Sequence, residues 1–179
     1  MQLALILIAI AILVTFSIAG LSAAPWVPTK PKQRKRFIEN LEFKDGMTVY
    51  DLGCGTGTLL FEALKKNPRI KAIGSEISLL PYIIAKLRLL FGGAKYKNVS
   101  VRYVNLFKQD LQEADLVFVF LLSKAYPRLI KKFAKELKDD CRVAVEAWPL
   151  PDIKPHQIIE EDELLPIYLY RGEQFRGLV

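Results

Sequence analysis

Histidine and cysteine are scarce in this chain of 179 residues, which contains one histidine and two cysteines. Cys54 and Cys141 form no disulfide framework and show no metal-ligand spacing, so we expect both to be small buried side chains. The single histidine, His156, stands in a proline-rich segment, where we expect a surface side chain rather than a general base. The sequence therefore predicts neither a metal centre nor a histidine-based catalytic pair.

Charged side chains are absent from residues 3–24, which are mostly Leu, Ile, Ala and Val. At about 1.5 Å per residue, a helix of this length can cross the roughly 30 Å hydrocarbon core of a bilayer. A cleaved signal peptide would instead need a basic start and a shorter apolar core. The sequence therefore predicts one N-terminal transmembrane helix within an anchor segment, residues 1–24.

A group of basic residues follows the apolar segment directly. Its members are Lys30, Lys32, Arg34, Lys35 and Arg36. By the positive-inside rule, this flank stays on the cytoplasmic side, which predicts a single-pass membrane protein with its remaining residues on the cytoplasmic face. The group also holds much of the formal charge of +7, which favours the lipid bilayer as a partner and makes nucleic acid a less favoured one.

The rest of the chain alternates between strand and helix patterns, after a linker and short basic helix over residues 25–46 and within a domain over residues 47–179. Five strands are predicted at 47–52, 70–75, 99–104, 115–121 and 142–147. Helices are predicted at 32–41, 58–66, 79–91 and 125–137. This alternation predicts an α/β, Rossmann-like, doubly wound and mostly parallel sheet. Two short segments, 158–159 and 167–170, are too close for a crossover helix and are predicted as an antiparallel pair at the sheet edge.

A glycine-rich turn connects the first strand to its helix. It reads Asp51-Leu52-Gly53-Cys54-Gly55-Thr56-Gly57. Glycines let the backbone approach a ligand closely because they carry no Cβ. The dinucleotide fingerprint Gly-x-Gly-x-x-Gly would need a third glycine where this chain has Thr58. The Asp51 carboxylate would repel a phosphate, so the turn favours a ligand with an ammonium group and no phosphate, such as S-adenosylmethionine (SAM).

Two further polar residues end predicted strands on the same side. Glu76 ends the second strand, 25 residues after Asp51, where doubly wound folds place an acid that accepts hydrogen bonds from ribose hydroxyls. Asn105 ends the third strand, where its amide oxygen either accepts from an adenine amino group or belongs to a turn. Together with Asp51, Gly53, Cys54, Gly55 and Gly57, these residues are the predicted cofactor site.

The segment after the predicted fourth strand lacks one informative motif. Enzymes that methylate DNA adenine or glutamine amide place Asn-Pro-Pro-Tyr after the fourth strand, where this chain has Phe120-Leu121-Leu122-Ser123. This difference argues against amide or exocyclic amine acceptors. Tyr126, Glu146 and Trp148 lie near strand or helix ends on the ligand side, where they either line a substrate channel or pack in the core. No catalytic base is predicted.

From Phe37 to Arg171, the chain resembles the class I, seven-β-strand SAM-dependent methyltransferases. The resemblance rests on Asp51-x-Gly53-x-Gly55-x-Gly57 and on Glu76. The apolar N-terminal segment followed by Pro25-Trp26-Val27-Pro28-Thr29 is also similar to the mitochondrial protein-lysine methyltransferases that act on the ATP synthase c-ring protein and the adenine nucleotide translocase. That likeness implies a seven-stranded sheet, a place at the mitochondrial inner membrane in a eukaryote, and Trp26, Pro28 and Thr29 folded over the cofactor. Asn105 departs from that family, which has Asp there.

These observations predict a SAM-dependent methyltransferase that modifies a lysine of a membrane-associated protein. A desolvated pocket lowers the pKa of the lysine amine, so the enzyme would need no dedicated base. Three alternatives stay open: methylation of a small-molecule or lipid-like acceptor at the membrane, a non-catalytic SAM-binding scaffold, and RNA methylation, which only the basic charge supports.

Overall fold

The structure is a computed structural model that describes residues 2–23 and 29–178. Five α-helices form in these residues: α1 (Gln2–Ser22), α2 (Pro31–Asn40), α3 (Thr58–Lys66), α4 (Leu79–Gly92) and α5 (Tyr126–Glu136). Seven strands form as well: β1 (Thr48–Leu52), β2 (Lys71–Glu76), β3 (Val99–Tyr103), β4 (Leu116–Val119), β5 (Arg142–Glu146), β6 (Gln157–Ile159) and β7 (Ile167–Arg171).

The seven strands make one mixed sheet in the order β3-β2-β1-β4-β5-β7-β6. The first five strands are parallel to their neighbours. β7 runs antiparallel to both β5 and β6. The predicted Rossmann-like, mostly parallel sheet with an antiparallel edge is therefore confirmed.

Helices cover both faces of the sheet. Residues of α2, α3 and α4 join one apolar cluster with Val49, Phe118 and Ala144, whereas α5 joins the other cluster with Tyr50 and Val117. The chain order changes direction between β1 and β4, because β2 and β3 lie on one side of β1 and the later strands on the other. Open α/β sheets bind ligands at such a switch point, beyond the carboxyl ends of the strands.

The sequence of α5 shows why these helices form where they do. Pro127 occupies the first turn, where a missing N–H costs no helical hydrogen bond. Tyr126, Leu129 and Phe133 recur at helical spacing and are fully buried. The apolar side of α5 therefore packs on the sheet beside the switch point.

The N-terminal prediction needs correction. Within residues 2–23 and 29–178, no helix combines the length and the apolar character needed to span a membrane. The prediction of a single-pass membrane protein, and of its placement on the cytoplasmic face, is therefore wrong. The helix α1 instead lies against the domain, where Leu79 N donates to Thr15 Oγ1 at 3.1 Å and Leu122 N donates to the Ala23 carbonyl at 3.2 Å.

The basic group after α1 does not form one continuous surface. Arg36 is only 4% exposed, and its Nη2 donates to the Leu165 carbonyl. Arg34 donates through Nη1 to the Thr29 carbonyl at 2.6 Å. Lys35 is exposed and pairs with Glu39 at 3.6 Å. Helical periodicity thus divides this group between the interior and the surface, which the charge count alone did not reveal.

Candidate active site

Three glycines build the turn after β1. Gly53, Gly55 and Gly57 have φ values of +88°, +54° and +73°, in the left-handed region that side chains with a Cβ rarely adopt. Gly57 is also the N-cap residue of α3. The spacing Gly-x-Gly-x-Gly is therefore a backbone requirement of this turn.

Hydrogen bonds hold the turn against β2. Gly53 N and Cys54 N both donate to the Ser75 carbonyl, at 2.9 and 3.0 Å. The close approach depends on Gly74, because a Cβ there would lie 2.5 Å from Cys54 Sγ and 2.7 Å from Leu60 Cδ1. Sequence reasoning missed Gly74, since a single glycine inside a strand is a weak signal without its neighbours in space.

Glu76 holds the site together as a hydrogen-bond acceptor. Its Oε2 accepts from Gly55 N at 2.8 Å. Its Oε1 accepts from Ile77 N at 2.9 Å and from Ser78 N at 2.6 Å. The carboxylate is 5% exposed and keeps a further lone pair for a ligand, since two oxygens offer about four acceptor positions.

Asp51 is buried in the same pocket. Burial, followed by the negative charges of Glu76 and Glu146, raises the pKa of its carboxyl from 3.8 to about 7. A cationic group placed beside Asp51 would stabilise the charged form and restore a lower pKa. The electrostatics of the site therefore favour a ligand with an ammonium group.

One pocket at the switch point collects most of the predicted cofactor residues. Its walls include Thr29, Asp51, Gly53, Cys54, Gly55, Glu76 and Asn105. Gly57 is not part of these walls and acts through the shape of the turn. Trp26 and Pro28 lie outside the described residues, so their place over the cofactor stays a prediction.

Asn105 caps a turn and also faces the pocket, so it fits both roles that the sequence left open. Its side-chain oxygen accepts from Phe107 N at 3.0 Å and caps a short 3₁₀ helix, Leu106–Lys108. The residue also lines the pocket. A contact with an adenine would use the remaining lone pair of this oxygen or the amide N–H groups.

Several pocket residues were not predicted. Ser75 Oγ, Ser78 Oγ and Arg34 Nε are buried and have no hydrogen-bond partner among the described residues. All three residues line the pocket. Buried polar atoms without partners cost free energy unless a ligand or water satisfies them. Together with the glycine turn, they fit a polar ligand such as SAM, and no sequence pattern marks them.

The acceptor end of the pocket lies beyond β4 and β5. Glu146 and Trp148 line it, together with Phe37, Phe120 and Leu122. Ala147 has a φ of +79°, which turns the chain sharply between the two residues, so that Glu146 is buried and Trp148 is 47% exposed.

Tyr126 supports this end of the pocket from the core. It is not one of the residues that line the pocket. Its hydroxyl lies within hydrogen-bond distance of the carbonyls of Leu121 and Trp148, at 3.3 and 3.2 Å. Of the two roles that the sequence left open for Tyr126, packing is therefore the one that the structure shows.

The two cysteines are buried and the single histidine is exposed, as the sequence predicted. Burial, followed by the charges of Asp51 and Glu76, raises the pKa of the Cys54 thiol well above its usual value, so it stays protonated at neutral pH. Burial raises the pKa of Cys141 to about 12. His156 is exposed, away from the pocket walls.

Comparisons with known proteins agree with this geometry. The family model described as the ANTKMT methyltransferase domain matches residues 51–157. A protein-lysine N-methyltransferase of Saccharolobus islandicus is 33% identical over 153 residues, which are 82% of this chain and 92% of that protein. A human lysine N-methyltransferase named for the ATP synthase c-ring protein is 28% identical over 160 residues, covering 86% of this chain and 64% of that protein.

A solved structure supports the fold. The RNA methyltransferase of Salinibacter ruber, in complex with S-adenosyl-L-homocysteine, superimposes with a TM-score of 0.75. It is 22% identical in sequence, and the match covers 81% of this chain and 93% of that one. At this identity the likeness concerns the fold alone. The family match, the lysine methyltransferase relatives and the glycine turn agree, and the chain therefore belongs to the ANTKMT methyltransferase family of SAM-dependent protein-lysine methyltransferases.

Proposed function

We propose that this protein transfers a methyl group from SAM to the ε-amine of a lysine in a membrane-associated protein. The observation that carries the proposal is the pocket itself, because the glycine turn and Asp51 line it together with Glu146 and Trp148. Its acceptor end combines a buried carboxylate with apolar side chains. A lysine side chain, with an apolar stem and a cationic tip, has the matching chemistry.

Four of the predicted cofactor residues have assigned roles in this proposal. Asp51 accepts hydrogen bonds from the ammonium group of the methionine part of SAM. Glu76 accepts from the ribose hydroxyls, while its existing bonds to Gly55 N and Ser78 N keep it in place. Asn105 contacts the adenine, and Thr29 borders the pocket from the segment before α2.

Methyl transfer from SAM requires little of the protein beyond binding and alignment of the two reactants. When bound, SAM supplies a methyl carbon on a sulfonium, so that the new N–C bond forms as the C–S bond breaks and its electron pair stays on sulfur. The protein must align the amine with that carbon and keep water out. The apolar side chains Phe37, Phe120 and Leu122 suit this task because they favour the neutral amine.

Two observations support a membrane-associated protein as the acceptor. The relatives include lysine methyltransferases named for a protein of the ATP synthase and for the adenine nucleotide translocase. In addition, α4 exposes large apolar side chains toward solvent: Leu80, Ile83, Leu87, Leu90 and Phe91. An exposed apolar surface of this kind is typical of an interaction site. Contact with the lipid bilayer itself stays a prediction.

The test uses the full-length protein and methyl-labelled SAM. Membrane and soluble fractions of the source organism are incubated with the enzyme, and label is measured in protein and in the organic extract. We expect label in a membrane-fraction protein, mapped to lysine by mass spectrometry. Asp51→Asn is expected to incorporate at least about ten times less label, because it removes the charged partner of the ammonium group.

Other outcomes decide against parts of the proposal. Label confined to the organic phase would support the small-molecule or lipid-like acceptor. Label in soluble proteins alone would retain lysine methylation but exclude the membrane-associated acceptor. S-adenosylhomocysteine binding by calorimetry provides the control, since a protein that binds but transfers no methyl to any fraction would be the non-catalytic scaffold.

A further inference from the structure

The side chain of Glu146 is a buried carboxylate that the cofactor residues do not account for. It ends β5, is 2% exposed and lines the acceptor end of the pocket. Its exposed neighbour Trp148 forms the rim. A carboxylate in this position costs free energy unless it is paired, hydrogen-bonded or neutralised.

Strand register places Glu146 relative to Asp51. Asp51 pairs with Phe118 of β4, and Phe118 pairs with Ala144 of β5. Because side chains alternate along a strand, Glu146 projects from the same face as Ala144, and therefore from the same face as Asp51. Two strand spacings of roughly 4.8 Å separate the backbones of β1 and β5. The charge of Glu146 nevertheless contributes to the raised pKa of Asp51, so the two carboxylates share one wall of the pocket.

Two residues of α2 act on the charge of Glu146. Gln33 donates a side-chain hydrogen bond to it, and Arg36 acts on it through its charge. Among the described residues, no ion pair within 4.0 Å involves Glu146. Arg36 is committed to the Leu165 carbonyl through Nη2, while its Nε and Nη1 have no hydrogen-bond partner in the described part of the chain.

The charged groups around Glu146 come from several elements. Arg34 and Arg36 come from α2 and are positive, while Asp51 comes from β1 and is negative. Burial raises the pKa of Glu146 from 4.5 to about 7, and Arg36 and Gln33 oppose this rise only in part. Both protonation states of Glu146 are therefore populated near neutral pH, as a group that exchanges protons with a substrate requires.

We propose that Glu146 receives the acceptor lysine, by binding its ε-ammonium group beside the carboxyl end of β5 and accepting one of its protons before methyl transfer. This inference rests on the proposed lysine-methyltransferase function and adds the residue that selects and prepares the acceptor. Trp148 borders the entry, where its ring face can contact the cationic tip as it passes.

The proton transfer balances within the pocket. One N–H bond of the ε-ammonium breaks, an O–H bond forms on Glu146, and the nitrogen keeps the electron pair with which it forms its next bond. Positive charge on the lysine and negative charge on Glu146 disappear together. An apolar surrounding favours this neutralisation, because both charged forms lose hydration there.

The first experiment compares Glu146→Gln with the wild-type protein, with the exposed Glu160→Gln as a matched control. We expect Glu146→Gln to bind S-adenosylhomocysteine as the wild type does and to lower kcat for a lysine acceptor about 100-fold. The wild-type kcat/KM for the lysine acceptor at saturating SAM rises with pH through about 7, as Glu146 becomes charged and able to accept a proton. In Glu146→Gln this rise is lost, whereas Glu160→Gln keeps it.

A second measurement needs no turnover. Glutamate side chains carrying ¹³C are titrated by NMR in the wild-type protein saturated with S-adenosylhomocysteine, and the Glu146 signal is assigned from its absence in Glu146→Gln or from contacts to labelled neighbours. N-acetyl-lysine methylamide is the probe, and its norleucine counterpart is the uncharged control. We expect the lysine probe to lower the pKa of Glu146 by about one unit, which is a tenfold preference for the charged carboxylate.

The outcomes separate this inference from the proposed function. An unchanged pH profile in Glu146→Gln would overturn the role of Glu146 while leaving lysine methylation intact, and equal shifts with the lysine and norleucine probes would do the same. A wild-type protein that binds S-adenosylhomocysteine, yet methylates no lysine, would contradict the proposed function. In that case, the titration still decides whether Glu146 binds an ammonium group.

Discussion

Two buried glutamates, Glu76 and Glu146, end strands in opposite halves of the sheet and differ in how their charge is stabilised. Glu76, in the half that contains β2 and β3, accepts three backbone N–H groups between 2.6 and 2.9 Å. Glu146, in the half that contains β5 and β7, has a side-chain hydrogen bond from Gln33 and a pKa raised by burial to about 7. Backbone N–H groups hold the Glu76 carboxylate in place, whereas the protonation state of Glu146 depends on what enters the pocket.

The site uses its two buried glutamates in different ways. A carboxylate that accepts from three backbone N–H groups keeps a constant place, which suits recognition of a cofactor that every turnover shares. A carboxylate with few donors changes its protonation state with its surroundings, which suits a group that meets a changing substrate. Asp51 resembles Glu146 in this respect, because its pKa is also raised to about 7.

The largest expected effect comes from Glu76→Gln. The substitution places an NH₂ group against N–H donors and removes the charge that strengthens the remaining bonds. We expect a loss of about 4 kcal/mol of stability, since each hydrogen bond to a charged group contributes about 1.5–3 kcal/mol. Urea denaturation of the wild type, Glu76→Gln and Glu146→Gln measures the contrast. A loss for Glu146→Gln as large as that for Glu76→Gln would break the comparison.

The next largest effect is expected from Gly74→Ala, which tests how closely β2 packs against the glycine turn. The added Cβ would lie 2.5 Å from Cys54 Sγ and 2.7 Å from Leu60 Cδ1, so the turn must move. We expect a loss of about 3 kcal/mol in the free energy of unfolding, together with weaker S-adenosylhomocysteine binding. Adding Cys54→Ala should recover part of the loss, because it removes the nearest atom. Unchanged stability in the single variant would show that β2 tolerates a side chain there.

Asp51→Asn should act in the opposite direction on stability. Between pH 3.8 and about 7, the folded protein holds a proton on Asp51 that the unfolded chain has released, so stability falls as pH rises through this range. Removing that ionisation should stabilise the unliganded protein at a pH above both values, while weakening SAM binding at least about tenfold.

Thermal unfolding across the range from mildly acidic to mildly alkaline pH checks this prediction. The fall in Tm should become shallower in Asp51→Asn but not vanish, because Glu146 contributes a similar fall between pH 4.5 and about 7. A pH dependence identical to that of the wild type would mean that Asp51 is not neutral in the folded, unliganded protein.

The smallest effect is expected from Asn105→Ala. The variant loses the cap on Phe107 N and should be destabilised by about 1 kcal/mol, as for other helix caps. Asn105→Asp keeps the acceptor oxygen and replaces the amide N–H groups with a second oxygen. It should therefore recover the lost stability, as measured by urea denaturation. Failure of Asp to restore stability would assign the loss to the amide N–H groups instead of the oxygen.

Much of the fold was predictable, because the features that specify it are local. Strand lengths, helix periodicity and the short gap before β7 predicted the sheet and its antiparallel edge. The acid and glycines of the turn predicted the ligand, because left-handed φ values and a pocket facing a carboxylate need those residue types in that order. The same approach failed at α1, because hydropathy counted along the sequence carries no information about packing against α4.

The rest of the site depends on contacts between distant parts of the chain. Ser75, Ser78 and Arg34 look ordinary in the sequence. Only the fold brings to one pocket their buried polar atoms, which have no hydrogen-bond partner in the described part of the chain. Glu146 was visible as an acid near a strand end. Its burial beside Gln33 and Arg36, which lie in α2 at the other end of the chain, is a property of the packed sheet.

The sequence by itself determined the doubly wound sheet, the glycine turn with its leading acid, and hence the class of cofactor. These follow from backbone geometry and side-chain periodicity over short stretches, which each segment carries within itself. Only the tertiary structure decided which carboxylates are held by backbone donors and which are left to titrate near neutral pH. That distinction depends on burial and on neighbours from other strands, since desolvation and charge act through space and not along the chain.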